Sequence, residues 1–252
     1  HQEQELKEIR SKDGLTLRAA YIPRENAKGT IICMHGYHST NDIEFVPEVR
    51  FLWNLGYSIL LPWQRSHGKS EGRYITYGVK ERHDLKRWIL YTNRHLAAKN
   101  KDIFLCGISM GCATTLMAAG LDLPDNVKGI IADCGFTSPW DIIKHVAKER
   151  FYLPPFPLMY MVDLISEVVA GFGLKEVSIP EIMKRNKIPV LFIHGDADDY
   201  VPMWMTIKNY EACAAKKELY IVSGAGHALA FSKDMEEGKR RIKNFINKYK
   251  TI

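Results

Sequence analysis

Short, compact apolar runs separated by stretches of helical period recur along this chain, and that alternation limits its fold more than any other feature. The runs lie at 30–34, 57–61, 103–106, 127–132, 190–193 and 219–222. Each is too short for a buried helix and lacks the apolar/polar alternation of a one-sided strand, so each reads as a strand covered on both faces. Helical patterns at 46–55, 79–98, 109–120, 204–215 and 232–248 fill the gaps; in the second of these Leu85, Trp88, Ile89 and Leu96 recur at helical spacing. Near the N-terminus, β-like runs at 6–10 and 15–22 flank Asp13-Gly14 and read as a hairpin. Strands alternating with helices predict an α/β protein with a mostly parallel sheet flanked by helices, whose function gathers in loops beyond the strands' carboxyl ends.

One segment breaks the rhythm. Residues 136–188 are too many for a simple strand-to-strand connection and contain the Pro-rich aromatic stretch Phe151-Tyr152-Leu153-Pro154-Pro155-Phe156-Pro157-Leu158-Met159-Tyr160, then a helix-like run at 161–170. The division expected is a core of 1–135 and 189–252 carrying 136–188 as an inserted helical cap or lid; an extra helical layer of purely structural use is the alternative. Placed after a central strand, such a segment lines a pocket, and Phe136, Phe151, Tyr152, Phe156 and Met159 are its candidate substrate contacts.

Composition narrows the class. A chain of 252 residues, 46% hydrophobic and 25% charged, buries a sufficient core without disulfides or metals. Its five cysteines are odd in number and none forms a C-x-x-C pair. Cys33, Cys106 and Cys134 fall in or beside apolar runs, which reads as free core thiols of a reducing compartment and not as a zinc site. The net charge of +6 is modest. Its clearest cluster, Lys239, Arg240, Arg241 and Lys243, is interleaved with Ile242, Phe245 and Ile246, the pattern of a solvated helix face and not of a nucleic-acid surface. No apolar run of membrane-spanning length and no signal-peptide pattern is visible, so the expectation is a cytoplasmic protein without an integral membrane segment, with a leader before His1 left open.

Chemistry enters with Gly107-Ile108-Ser109-Met110-Gly111, a G-x-S-x-G motif set between a strand run and a helical run. A serine on that sharp turn projects its hydroxyl into open space, the glycines permit close backbone approach, and the helix N-terminus supplies donors and partial positive charge. An N-cap serine is the plainer alternative. A hydroxyl is a poor nucleophile until a base takes its proton, so a histidine and a carboxylate should follow in the order Ser, acid, His. Of the histidines beyond Ser109, His145 opens the insertion, His194 closes a strand, and His227 sits in the loop Ser223-Gly224-Ala225-Gly226-His227 after the last strand, free to reach across the sheet. His227 is the expected base. The acid should come from His194-Gly195-Asp196-Ala197-Asp198-Asp199, where composition does not choose among the three carboxylates.

Together these motifs resemble the α/β-hydrolase superfamily, in its bacterial esterase and prolyl-oligopeptidase-like branch. The resemblance spans nearly the whole chain: His35-Gly36-Tyr37, His67-Gly68-Lys69-Ser70-Glu71-Gly72, the serine elbow, His194-Gly195-x-x-Asp198-x-x-Val201-Pro202, and Gly226-His227. It implies the α/β-hydrolase fold, selects Asp198 as the acid, and places the oxyanion hole on the backbone N–H groups of Tyr37 and Met110. Preorganised donors there are worth about 3 kcal/mol each. His38 precedes the serine, so the triad does not need it, and it reads as loop structure or substrate contact. The chain departs from the family's D-x-R-x-H-G-x-S pattern at Trp63, which stands where the aspartate is usual. Glu81, Arg82, Asp84 and Arg87 share a helix at salt-bridge spacing and read as structural. The function expected is a serine hydrolase acting on carboxylic esters with an apolar acyl or aryl group through an acyl-enzyme. Amide or peptide hydrolysis, or a non-enzymatic binding module on the same fold, are the alternatives. No cofactor or metal is implied; the partner is a small-molecule ester, and the oligomeric state is open.

Overall fold

The computed structural model describes residues 4–40, 44–96 and 101–251. Strands β1 (Glu5–Arg10) and β2 (Thr16–Ile22) form the expected antiparallel hairpin across Gly14, whose φ of 89° the turn requires. The remaining strands are β3 (Gly29–Met34), β4 (Ser58–Pro62), β5 (Asp102–Ile108), β6 (Val127–Asp133), β7 (Val190–Gly195) and β8 (Lys217–Val222). All eight join one sheet in the order β1-β2-β4-β3-β5-β6-β7-β8, parallel from β4 onward and antiparallel where β2 meets β1 and β4.

Helices α1 (Val46–Asn54), α2 (Glu81–His95) and α3 (Met110–Ala118) are the first three helical patterns. The second starts two residues later than its apolar pattern because the Glu81 carboxylate turns back to accept the N–H groups of Thr76 and Gly78 and so fixes the helix start. The end of that pattern, residues 97 and 98, lies outside the described residues. Every residue of α3 is buried, as a helix of Ala, Met, Leu, Cys and Thr against a two-sided core should be.

Residues 136–188 are mostly helical. Helix α4 (Pro139–Phe151) is opened by Ser138, whose hydroxyl accepts the Asp141 N–H at 3.0 Å, and closed by Tyr152 in the left-handed region. Helix α5 (Pro155–Ile165) passes into a π turn (Ser166–Ala170), and α6 (Ile179–Met183) leads into β7. The helix expected over 161–170 therefore begins earlier: its continuous part opens at Pro157, just past the non-helical Phe156, where a missing N–H is not needed. Helices α7 (Met203–Ala212), α8 (Ala230–Lys233) and α9 (Met235–Tyr249) complete the chain.

The sheet has a core on each face. Along β5, Ile103 and Leu105 join one with Leu85, Trp88, Leu116 and Phe192, while Phe104, Cys106 and Ile108 join the other with Ile31, Leu52, Leu191 and Phe245. All five cysteines are free and buried. The C-terminal basic cluster lies on α9, which buries Ile242, Phe245 and Ile246 and pairs Lys239 with Glu236 and both Arg240 and Arg241 with Glu237. Among the described residues no helix is long and apolar enough to cross a membrane.

The charged residues of α2 find tertiary partners. Arg65 is buried and takes Asp84 through two nitrogens, at 2.7 and 2.8 Å, while also reaching Asp13 at 2.8 Å. Arg82 faces Glu176 at 3.3 Å and Arg87 donates to the Arg10 carbonyl. Helical spacing had suggested pairs within α2; the structure instead pairs these side chains with groups outside the helix.

Candidate active site

The sheet order brings distant loops together. From β3 the chain crosses to β4 on one side, and β5 then forms the other neighbour, so β3 and β5 flank the point where the winding reverses. Their register pairs Met34 with Gly107, so the loop at 35–38 and the turn at Ser109 leave the sheet side by side.

Ser109 occupies that turn with φ 54° and ψ −117°, its N–H bonded to the Asp133 carbonyl at 2.9 Å. The flanking glycines are demanded by the backbone. A Cβ on Gly107 would lie 2.5 Å from the Gly111 carbonyl oxygen, and one on Gly111 only 1.8 Å from that of Met34. The strained turn and the end of β3 thus interlock, and the serine side chain is left facing the loops.

Two loops meet it there. The His227 ring places Nε2 2.9 Å from Ser109 Oγ and Nδ1 2.7 Å from Asp198 Oδ2. With the Nδ1 proton donated to the carboxylate, Nε2 is the acceptor for the serine hydroxyl. The three carboxylates after β7 part company. Asp198 faces His227 and also accepts the N–H groups of Tyr200 and Val201, each at 2.9 Å. Asp196 accepts the Gly224 N–H at 2.6 Å, bracing the loop that carries His227. Asp199 is exposed and lies 3.4 Å from Arg150. Burial opposes charge on Asp198, but hydrogen bonds from His194 and His227 outweigh it and hold the carboxyl well below its usual range. His194, buried between β7 and α7, bonds the Thr206 hydroxyl and the Val201 carbonyl and lies 3.3 Å from Asp198. His145 is on α4, away from this line of groups.

The 35–38 loop is braced by neutral histidines. Gln64 donates its N–H to His35 Nε2 at 3.0 Å, so His35 donates from Nδ1 to the Gly36 carbonyl, and burial lowers its pKa to about 4. His67 bonds the Arg65 carbonyl through Nδ1 and accepts the His38 N–H at Nε2. His38 itself has φ 53° and an exposed ring beside Tyr37. The N–H groups of Tyr37 and Met110 meet no acceptor among the described residues; Met110 opens α3, where helix amides are free by construction. Trp63, in the place of the usual aspartate, is buried and lies flat against Gly68, where a Cβ would come within 2.2 Å of its ring. It supports the 65–70 turn by packing.

An apolar cleft of about 300 Å³ adjoins the site. Its wall toward Ser109 is made by Tyr200, whose ring lies 5.1 Å from that of His227, and by Tyr77, stacked on Tyr37 at 5.4 Å. Its other wall is the inner face of α4 and α5: Ile142, Val146, Phe151, Leu158, Met159 and Val162 among others. Of the aromatic and methionine contacts expected from sequence, Phe151 and Met159 line this cleft. Phe136, Tyr152 and Phe156 do not. Phe136 is 2% exposed in the core, while Tyr152 and Phe156 are 86% and 75% exposed. The reason is local: the left-handed turn at Tyr152 and the non-helical backbone of Phe156 direct both rings outward. Sequence reasoning missed the α4 residues before Phe151, although Ile142, Ile143 and Val146 carry the spacing of a helix's apolar face. A larger polar depression, lined by Asp122, Lys128, Arg185 and Lys187, lies at the opposite ends of the strands.

Three further carboxyls behind the site left no sequence signal. Glu44 accepts the Gly36 N–H. Glu48 and Asp133 are buried, and Glu48 Oε2 and Asp133 Oδ1 have no hydrogen-bond partner among the described residues. Burial pushes Glu44 and Asp133 up to about 7 and Glu48 to about 8. One cluster of described residues could in principle ligate a metal: atoms of Cys134, Asp198 and His227 lie within 4.8 Å of one another. Two of these are already hydrogen-bonded to each other, and burial pushes the Cys134 thiol up, away from the thiolate a metal would need.

Comparison with known proteins agrees with this picture. The model of the prolyl oligopeptidase family (Peptidase_S9) matches residues 70–251. The uncharacterized protein YqkD of Bacillus subtilis is 28% identical over 239 residues, covering 95% of this chain and 78% of its own. The uncharacterized protein YfhR of Escherichia coli O157:H7 is 26% identical over 245 residues, covering 95% and 79%. The solved structure of the Pyrococcus furiosus esterase Pf2001 superposes with a TM-score of 0.79 at 27% identity, over 99% of this chain and 94% of that one. The eight-stranded, mostly parallel sheet with its flanking helices is the α/β-hydrolase fold.

Proposed function

The chain belongs to the prolyl oligopeptidase family, and on that premise we propose that it is a serine hydrolase that cleaves carboxylic esters with an apolar acyl or aryl group. The observation that carries this reading is the continuous hydrogen-bonded line from Ser109 Oγ through the His227 ring to Asp198.

Ser109 Oγ attacks the acyl carbonyl as His227 Nε2 takes its proton. The resulting oxyanion is held by the N–H groups of Tyr37 and Met110, and Asp198 steadies the imidazolium. Collapse expels the alcohol, which receives the proton from His227, and leaves the acyl group on Ser109. Water, deprotonated by His227, then attacks the acyl-enzyme and frees the acid and the serine. The chemistry draws on no metal or cofactor, and chelators are expected to leave the rate unchanged.

Residues 136–188 act in this reading as a cap whose inner face binds the acyl or aryl group. The support is the cleft between α4, α5 and the tyrosines beside His227, apolar but for two phenols, together with the description of the similar Pf2001 as an esterase. Family membership favours a second reading, hydrolysis of amides or peptides by the same groups. A fluorophosphonate probe tests the shared chemistry: it should label the wild type and fail on Ser109→Ala. A panel of aryl esters and aminoacyl amides separates the two readings, and faster turnover of amides would select the second.

A further inference from the structure

The carboxyl of Glu44 packs against the 35–38 loop at Gly36. It accepts the Gly36 N–H, and a Cβ built on Gly36 would lie 2.9 Å from Glu44 Oε1 and 3.4 Å from the Ser109 Cβ. Gly36 is therefore a spacer between two side chains, a carboxylate on one flank and the nucleophile on the other, and glycine there lets both approach. The hydroxyl of Ser39 supplies a second hydrogen bond to Glu44. The next peptide along this loop carries the Tyr37 N–H.

Resting on the serine hydrolase reading above, we propose that Glu44 is a positioning residue for that reaction: its carboxylate clamps the Gly36 amide so that the Tyr37 N–H faces the oxyanion, and its charge helps stabilise the His227 imidazolium. The first part is geometric. Gly36 without a partner could rotate its flanking peptides, and a donor that must be reoriented during reaction loses the advantage of preorganisation. The second part is electrostatic. Attraction to His227 favours charge on Glu44, while burial works against it and pushes the carboxyl up to about 7. The proton of Glu44 is thus lost near neutrality, and its charge is present at pH 8. Among the described residues, Asp133 at the end of β6 and Glu48 on α1, both buried carboxyls pushed up by burial, also face this pair, and Asp198 holds the far nitrogen of the ring. Asp133 and Glu48 disfavour charge on Glu44, so the clamp sets at its full strength only on the alkaline side.

Glu44→Gln keeps an acceptor for Gly36 and removes the charge, whereas Glu44→Ala removes both. Measured on an aryl ester with wild type as reference, Glu44→Gln is expected to lower kcat about three- to tenfold at pH 8 with little change in KM, and to shift the acid limb of the kcat profile toward lower pH. Glu44→Ala is expected to lose about a further tenfold in kcat. Fluorophosphonate labelling and thermal denaturation are run on each variant. Absence of labelling in folded wild type would remove the hydrolase reading itself. A labelled wild type with Glu44→Gln and Glu44→Ala of unchanged kcat and pH profile would overturn the role of Glu44 and leave the hydrolase reading standing. Loss of kcat in both variants without displacement of the acid limb would overturn the electrostatic half and leave the clamp.

Discussion

The residues around Ser109 divide sharply into those whose atoms lie on the hydrogen-bonded line and those that hold the line in place. Asp198 is on it, while Asp196 binds the Gly224 amide and Asp199 faces solvent and Arg150. Asp198→Asn is expected to cost about 10³–10⁴ in kcat, since the amide forces the wrong tautomer on the ring. Asp199→Asn should stay within about twofold, because an exposed pair this long holds nothing in place. Steady-state kinetics on the two variants checks both, and comparable losses would mean that the acid had been misassigned. Gly111→Ala should abolish labelling of Ser109, because the added methyl would stand 1.8 Å from the Met34 carbonyl and force β3 and the serine turn apart.

At the scale of elements, α4 decides what can enter the cleft. Its Ile142 and Val146 point inward with Met159 from α5, and the polar side chains of α4 face outward. Val146→Trp should fill much of a cleft of about 300 Å³. The expected outcome is a fall of about tenfold or more in kcat/KM for octanoyl or naphthyl esters with acetyl esters nearly unaffected. Equal losses on all esters would mean that the acyl group lies elsewhere. This element was partly legible in the sequence. The prolines and aromatics at 151–160 marked an unusual segment, yet as many wall residues, Ile142, Ile143, Val146 and Ala147, came from the less conspicuous helix before it as from that segment, since ring size says nothing about the direction in which a ring points.

For the molecule as a whole, the buried carboxyls make stability depend on pH in an unusual direction. Glu48, Glu44 and Asp133 are pushed up to about 8, 7 and 7 by burial. Below about pH 4 such groups are protonated in folded and unfolded chains alike, and they cost nothing. As pH rises, the unfolded chain releases their protons first, so folding stability is lost progressively until the folded groups ionise too, near pH 7–8. Asp198 acts oppositely: its depressed carboxyl adds stability above about pH 4 that is lost on further acidification. The two effects meet where the unfolded carboxyls ionise, so stability from these groups is expected to be greatest near pH 4 and to fall toward pH 7. Glu48→Gln should raise the melting temperature by about 3–9 °C at pH 8, corresponding to about 1–3 kcal/mol, and change it little at pH 5. Calorimetry across this range checks the prediction; an equal effect at both pH values would show that charge on Glu48 is not the cause.

What the sequence determined by itself was whatever repeats locally. Two-sided apolar runs gave the strands, helical spacing gave the main core helices, and the glycines around Ser109 marked a turn that other residues would block. The choice of Asp198 came from resemblance, since three neighbouring carboxylates are chemically equal on paper. Tertiary structure decided the rest. Reversal of the winding at β3 and β5 set Gly36 and Ser109 side by side, and burial turned Glu44, Glu48 and Asp133 from ordinary acids into groups that hold their protons near neutrality. Periodicity reports which face of an element is apolar. It carries no information about which faces of distant elements will meet, and desolvation, which shifts these carboxyls, arises only when they do.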